Sequence, residues 1–224
     1  MAKIAWKGSA LLAPVPPVMV TCGSDKTANI ITIAWTGVIN THPPRVTIAV
    51  RPTRHSYALI KESGEFAINL TPASLVREAD YCGIYTGAKV NKFEKTGLHP
   101  EAAQVISCPI IAECPLSLEC RVLDVLPQGT HDLFLAEVVA VDVDESIIDE
   151  SGKLDLTRAG LTAYTHGEYF ALGKSLGTFG FSAARKKNAG AKRPRNVGPR
   201  NIGPRNIGGE KPQPHGSRKP GKHT

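Results

Sequence analysis

A chain of 224 residues that is 42% hydrophobic and 21% charged can bury one core of ordinary size or two small ones. Its five cysteines, odd in number and without a C-x-x-C pair, argue against a disulfide framework or a zinc ribbon and fit a reducing compartment. The net charge of +7 is uneven: 12 of the 27 Lys and Arg, but only Glu210 of the 20 acidic residues, lie at 183–224, so that segment is near +11 and the rest, with 15 basic and 19 acidic residues, near −4.

At the start, Lys3 and Lys7 before Ala10-Leu11-Leu12-Ala13 faintly imitate a signal peptide, but Pro14, Pro16 and Pro17 cut the apolar run short. No later stretch reaches the roughly 18 to 20 apolar residues of a bilayer span. The expectation is a cytoplasmic protein with no membrane association. Runs rich in β-branched and aromatic residues follow at 18–22, 30–35, 46–50, 66–70, 116–122 and 133–141, set between Gly, Pro, Asn and Asp. Helical patterns occupy 56–63 and 73–82, the second with Thr71 as cap and Pro72 at its first position. Because the strands do not alternate regularly with helices, the order predicts a mainly β, antiparallel barrel with a few inserted helices rather than a doubly wound parallel sheet. A dinucleotide-type glycine turn and a P-loop are both absent.

Cys108, Cys114 and Cys120 recur every six residues, but Pro109 and Pro115 follow the first two, which suits turns before strands and small buried hydrophobes better than metal ligands. At the other end, 194–198, 199–203 and 204–208 repeat a Pro-Arg-Asn-Val/Ile-Gly unit. So little apolar content predicts disorder for 183–224, and the repeat is far too short for a solenoid. Its cations suit weak, salt-sensitive nucleic-acid binding without base stacking, or a solubilising or partner-docking role. The domain boundary is therefore placed between 1–182 and 183–224.

Several motifs occur in a fixed order. Asn29-Ile-Ile-Thr-Ile-Ala-Trp-Thr-Gly37 is followed by Pro43-Pro44 and Arg51-Pro-Thr-Arg-His-Ser56, then by Ala79-Asp-Tyr-Cys-Gly83, Thr86-Gly87 with Lys92-Phe93, the run from His131 to Val138, and Tyr169-Phe-Ala-Leu-Gly173. Over residues 10–182 this ordered set resembles the flavin reductase-like family, which includes flavoredoxins and related ferric reductases. The resemblance implies an FMN-binding split β-barrel of Greek-key type, a homodimer, and FMN held noncovalently at the subunit interface. It also implies hydride transfer from NADH or NADPH through FMN to a small-molecule or protein acceptor, such as a flavin or a ferric chelate. The other reading is a flavoredoxin-type carrier reduced by a protein partner and lacking a nicotinamide site. Where many members have Ser, this chain has Ala34.

Within that frame Arg51, Arg54, Ser56, Thr86 and Lys92 are the donor types a phosphate dianion requires, and Ser56 at a helix start brings backbone N–H groups to the same anion. Read as residues alone, Ser56 is a plain cap and Lys92 a surface lysine. Asn29 and Thr32 on an apolar segment need partners if buried, and a flavin edge supplies them. Thr32 and Thr36, four apart, share one face of a strand, while Asn29 acts from a loop or a bulge. Trp35 and Tyr169 are core residues on pattern alone and ring or nicotinamide neighbours by resemblance, with His166 near Tyr169. His131 is the candidate catalytic residue, a flavin neighbour and proton donor near the pyrimidine edge, since its ordinary pKa permits either state.

Overall fold

A computed structural model describes residues 1–183, so the predicted disorder of the basic repeat lies outside the described residues. The chain divides into two units, Met1–Ser175 and Leu176–Thr224, and all elements named below belong to the first. In chain order they are β1 (Val18–Cys22), β2 (Asn29–Ile33), β3 (Thr36–Thr41), β4 (Pro44–Val50), α1 (His55–Ser63), β5 (Glu65–Leu70), α2 (Val76–Ile84), α3 (Lys92–Thr96), β6 (Pro100–Glu101), β7 (Ile110–Ile111), β8 (Leu116–Pro127), β9 (Asp132–Val143), β10 (Thr162–Thr165) and β11 (Glu168–Ala171). Seven strands form one antiparallel sheet in the order β2-β1-β5-β8-β9-β4-β3, so the β8–β9 hairpin is inserted between strands adjacent to it in space but not in sequence.

The sheet curls until its ends approach. Ile31 and Ile33 of β2, at one end, share a single core with Val46 and Ile48 of β4, near the other, together with Val20, Phe66, Ile68 and Phe134. The Ala49 N–H donates to the Trp35 carbonyl at 2.9 Å, extending the β3–β4 pairing into the short link from β2. That geometry is the split barrel. Met19 and Ile30 face the opposite way and are covered by Ala79 and Cys82 of α2 and Phe93 of α3. Every residue of β1 is thus buried, which explains an uninterrupted apolar run where a half-exposed strand would alternate.

The expected elements need several corrections. The run at 30–35 breaks after Ile33, and Thr36–Thr41 forms a separate edge strand whose residues are mostly exposed. α1 begins at His55, with Arg54 as its cap residue. Thr71 does not cap a helix at 73: its hydroxyl has no partner among the described residues, a 3₁₀ turn spans Ala73–Leu75, and α2 starts only at Val76. All five cysteines are free and buried. Burial raises each thiol, Cys22 and Cys82 to about 11 and Cys114 and Cys120 to about 12.

One carboxylate is fully buried on β8. Glu119 accepts the backbone N–H groups of Gln104, Val105 and Ile106 at 2.7, 2.8 and 2.9 Å, fixing that loop to the sheet. Asp142, beside it on β9, accepts from the Gln104 side chain at 2.6 Å, while its second oxygen is buried without a partner among the described residues. Burial first, then the Glu119 carboxylate, raise the Asp142 pKa, with Gln104 opposing. The folded state therefore holds this proton to higher pH than the unfolded chain, and stability falls as pH rises above the ordinary carboxylate range. Asp142→Asn keeps the acceptor for Gln104 and removes that loss. Its thermal midpoint is expected to exceed the parent's near neutral pH by about 2–4 °C, with the gap closing toward pH 3; a gap independent of pH would refute the assignment.

Candidate functional site

Two joined cavities open where β2, the turn from Arg51 to Arg54, α2 and the β10–β11 hairpin meet. The wider, of about 440 Å³, is walled by Thr32, Trp35, Arg51, Arg54, Asp80, His131, Tyr164 and Tyr169, with Ala34 and Gly83. That is the size of a small-molecule site. A narrow void continues past Ile31 and Arg54 and is lined by Asn29, Ser56, Thr86, Gly87 and Lys92.

The narrow end is built for an anion. Ser56 is the second residue of α1, buried, and its hydroxyl accepts from the Asn29 carboxamide at 2.8 Å instead of capping the helix. Asn29 is itself the first residue of β2, paired with Cys22 in an unbroken register, so it acts from the strand and neither from a loop nor through a bulge. The first N–H groups of α1 have no intrahelical acceptors and carry the positive end of its dipole. Lys92 is only 3% exposed, and its Nζ donates to the carbonyls of Ile30 and Cys82 at 2.6 and 2.7 Å. Burial pulls the ammonium down to about 8, and nearby Arg54 acts in the same direction. Neither the third ammonium hydrogen nor the Arg54 guanidinium has an acceptor among the described residues. Two unpartnered cationic donors and a helix N-terminus around one void match a phosphate group. A Cβ on Gly87 would collide with the Asn29 carboxamide, so glycine is what lets the Thr86 loop close over it.

The wide end is aromatic. Trp35 is half-exposed and stacks on His131, with ring centroids 6.1 Å apart and 15° between planes. The Arg51 Nε–H donates to His131 Nε2 at 3.4 Å, which assigns the imidazole proton to Nδ1, 3.0 Å from the Thr130 hydroxyl. Burial, then Arg51 and Arg54, lower the His131 pKa, and the ring is neutral near pH 7. The Tyr169 hydroxyl donates to Asp80 at 3.3 Å, its ring meets Tyr164 edge-on, and burial followed by Asp80 pushes its pKa up to about 12. The Thr32 hydroxyl donates to the Ala79 carbonyl, so toward a ligand its oxygen serves as an acceptor.

Of the residues singled out from sequence, Thr36 and His166 stand apart from both cavities. The Thr36 hydroxyl donates to the Thr47 carbonyl at 2.8 Å, and the break after Ile33 removes the shared strand face proposed for Thr32 and Thr36. Asp80, Gly83, Tyr164 and Gly87 complete the walls without having been assigned a role. Asp80, Gly83 and Ile84 follow helical i, i+3, i+4 spacing, and that was the available signal.

A model of the flavin reductase like domain matches residues 11–173. A protein of Archaeoglobus fulgidus is 30% identical over 164 residues, covering 73% of this chain and 91% of its own. Among solved structures, flavoredoxin of Desulfovibrio vulgaris superposes with a TM-score of 0.76 at 28% identity, over 82% of this chain and all of its own. Flavoredoxin from Methanosarcina acetivorans gives 0.73 at 26% identity, with the same coverage.

The close approach at Gly87 is testable without any ligand. Gly87→Ala should cost about 1–3 kcal/mol by overpacking, read as a lowered thermal midpoint, and Asn29→Ala in the same chain should recover most of it. An unchanged midpoint in Gly87→Ala would show that this loop does not pack on Asn29.

Proposed function

The chain belongs to the flavin reductase-like family, and from that premise we propose that it is a flavoprotein binding FMN noncovalently and passing electrons from NADH or NADPH to an acceptor. One observation carries the reading: a narrow cationic void at a helix N-terminus adjoins an aromatic-walled cavity, the two sharing Ile31 and Arg54, as suits a ligand with a phosphate at one end and a planar ring at the other. Bound there, FMN supplies the hydride and electron chemistry, so no nucleophile or acid–base dyad is demanded of the protein.

What the chain supplies is placement. Arg54, Lys92 and the first turn of α1 hold the phosphate; Asn29 and Thr32 present an amide and a hydroxyl oxygen along β2; Trp35 and Tyr169 bound the ring and exclude water. His131, its Nε2 accepting the Arg51 N–H and its ring stacked on Trp35, fixes the Trp35 face and the Arg51 fork, and its Nδ1–H is the donor that the proton-giving role would use.

The similarity to flavoredoxins favours a second reading, an electron carrier reduced by a protein partner. The exposed Val38 and Ile39 on edge strand β3, beside half-exposed Trp35, support a homodimer that covers this edge.

The purified chain should carry or take up FMN and bleach anaerobically with NADH or NADPH. Bound FMN that neither nicotinamide reduces would favour the carrier; refusal of FMN would overturn both readings. Asn29→Ala and Lys92→Ala should each weaken FMN binding about tenfold or more. Lys92 is charged below about 8 and neutral above it. Affinity for FMN should therefore fall as pH rises through that value, with proton uptake on binding, while riboflavin, lacking the phosphate, should show no such step.

A further inference from the structure

A third cavity, of about 390 Å³, adjoins the wide one and shares Ala34, Trp35 and Tyr164 with it. Its outer wall is the N-terminal segment through Leu12, Ala13 and Val15, held by paired hydrogen bonds between Val15 and Tyr164 at 3.0 and 2.7 Å. The tip of the β10–β11 hairpin closes it. There His166 and Gly167 both have positive φ, 46° and 93°, as a two-residue turn of this hand requires. Among the described residues, no Lys, Arg, Asp or Glu lines this cavity, in contrast to the guanidinium groups and Asp80 of its neighbour. Thr36 lines it too, and since its hydrogen is given to Thr47, its oxygen faces a ligand only as an acceptor.

We propose that this cavity is the acceptor site and that it takes an uncharged, planar quinoid ring. The inference rests on the flavoprotein reading above and names its acceptor class. The volume suits one such ring, and desolvating a ferric chelate or a dinucleotide diphosphate against walls without a counter-charge would be costly. The indole of Trp35 lies in both walls, so a ring seated here is one side chain removed from a ring in the wide cavity. The transfer balances: the reduced flavin would give up two electrons, passed singly by way of the intervening Trp35 indole, and one proton, and solvent would give the second proton. The two quinone C=O groups become two hydroxyls, and the flavin returns to its oxidised form. A hydroxyl so formed has the Thr36 oxygen as its acceptor.

The test uses the full-length holoprotein with Trp6→Phe, which leaves Trp35 as the one remaining tryptophan of the two. Duroquinone, fully substituted and so unable to alkylate thiols, is titrated against Trp35 fluorescence and then offered as acceptor beside ferric citrate. Saturable quenching is expected. Ala13→Phe and, separately, Ala10→Phe, which fill the cavity from its outer wall, should raise the duroquinone KM about tenfold or more and leave FMN content and ferric citrate reduction unchanged. Either variant that folds and retains FMN suffices. Linear, unsaturable quenching, or an unchanged KM in a folded cavity-filled variant, would overturn the proposal with the flavin reading intact. Val38 and Ile39, which the homodimer proposed above would cover, do not line this cavity; quenching that vanishes as rising protein concentration drives association would show a second copy in its place and would overturn the proposal equally. Absence of bound flavin would instead sink the reading beneath it.

Discussion

Lys92 places an ammonium in the interior between the carbonyls of Ile30 and Cys82, and withdrawing such a group from water costs several kcal/mol unless its hydrogens find acceptors. Two of the three do, and the choice of carbonyls matters. One belongs to β2 and the other to α2, so the same side chain ties the strand that carries Asn29 and Thr32 to the helix that carries Asp80 and Gly83. The third hydrogen is left toward the narrow void. A lysine that is neutral when buried would do the tying but not the attracting; held at about 8, this one remains cationic at neutral pH while being easily discharged. Structural staple and anion receptor are one residue because the void has been built around its remaining donor.

That arrangement presupposes a sheet that curls. If the seven strands lay flat, β2 and β4 would be far apart, and the turn from Arg51 to Arg54 after β4 could not face Asn29 on β2. Packing Ile31 and Ile33 into one core with Val46 and Ile48 draws the two ends together. The Trp35 carbonyl then meets the Ala49 N–H, which sets the indole at the mouth of the cavity. The opposite side of the barrel is secured by different means. Glu119, an acceptor-only group without a cationic partner, is satisfied by three backbone N–H groups, so its burial costs little net free energy and immobilises the 104–106 loop. The buried thiols add volume to the core without adding reactivity, since burial holds them protonated.

How much of this was legible before the fold was known depends on whether a residue's environment is local. The run Val18–Cys22 needed only its own apolar density, and it was found to the residue. Thr36–Thr41 escaped because an exposed edge strand with polar residues carries no apolar alternation, and the apolar run expected before it, 30–35, ended one residue short of its start. The phosphate-type donors Arg54, Ser56, Thr86 and Lys92 could be chosen by residue type and ordered resemblance, and the structure brings them around one void. Their actual bonds could not. Nothing near Lys92 announces that its acceptors lie on Ile30 and Cys82, 62 and 10 residues away. The parity argument for Thr36 failed for the same reason: it assumed one continuous strand where the chain turns to reach β4.

The two ends of the site therefore differ in kind. At the narrow end Ser56, Asn29 and Lys92 are held by the start of a helix, the start of a strand, and a pair of carbonyls anchoring a buried side chain, so they lose little freedom when an anion arrives. At the wide end the walls are aromatic rings from three separate segments: the β2–β3 link, the start of β9, and the β10–β11 hairpin. They are joined by stacking and single hydrogen bonds, and partly exposed. Such contacts individually amount to about 0.5–1.5 kcal/mol, and they can adjust to differing rings. Affinity for a phosphorylated ligand is accordingly set where the chain is rigid, and the choice of what approaches the exposed ring face is left to the segments that can move.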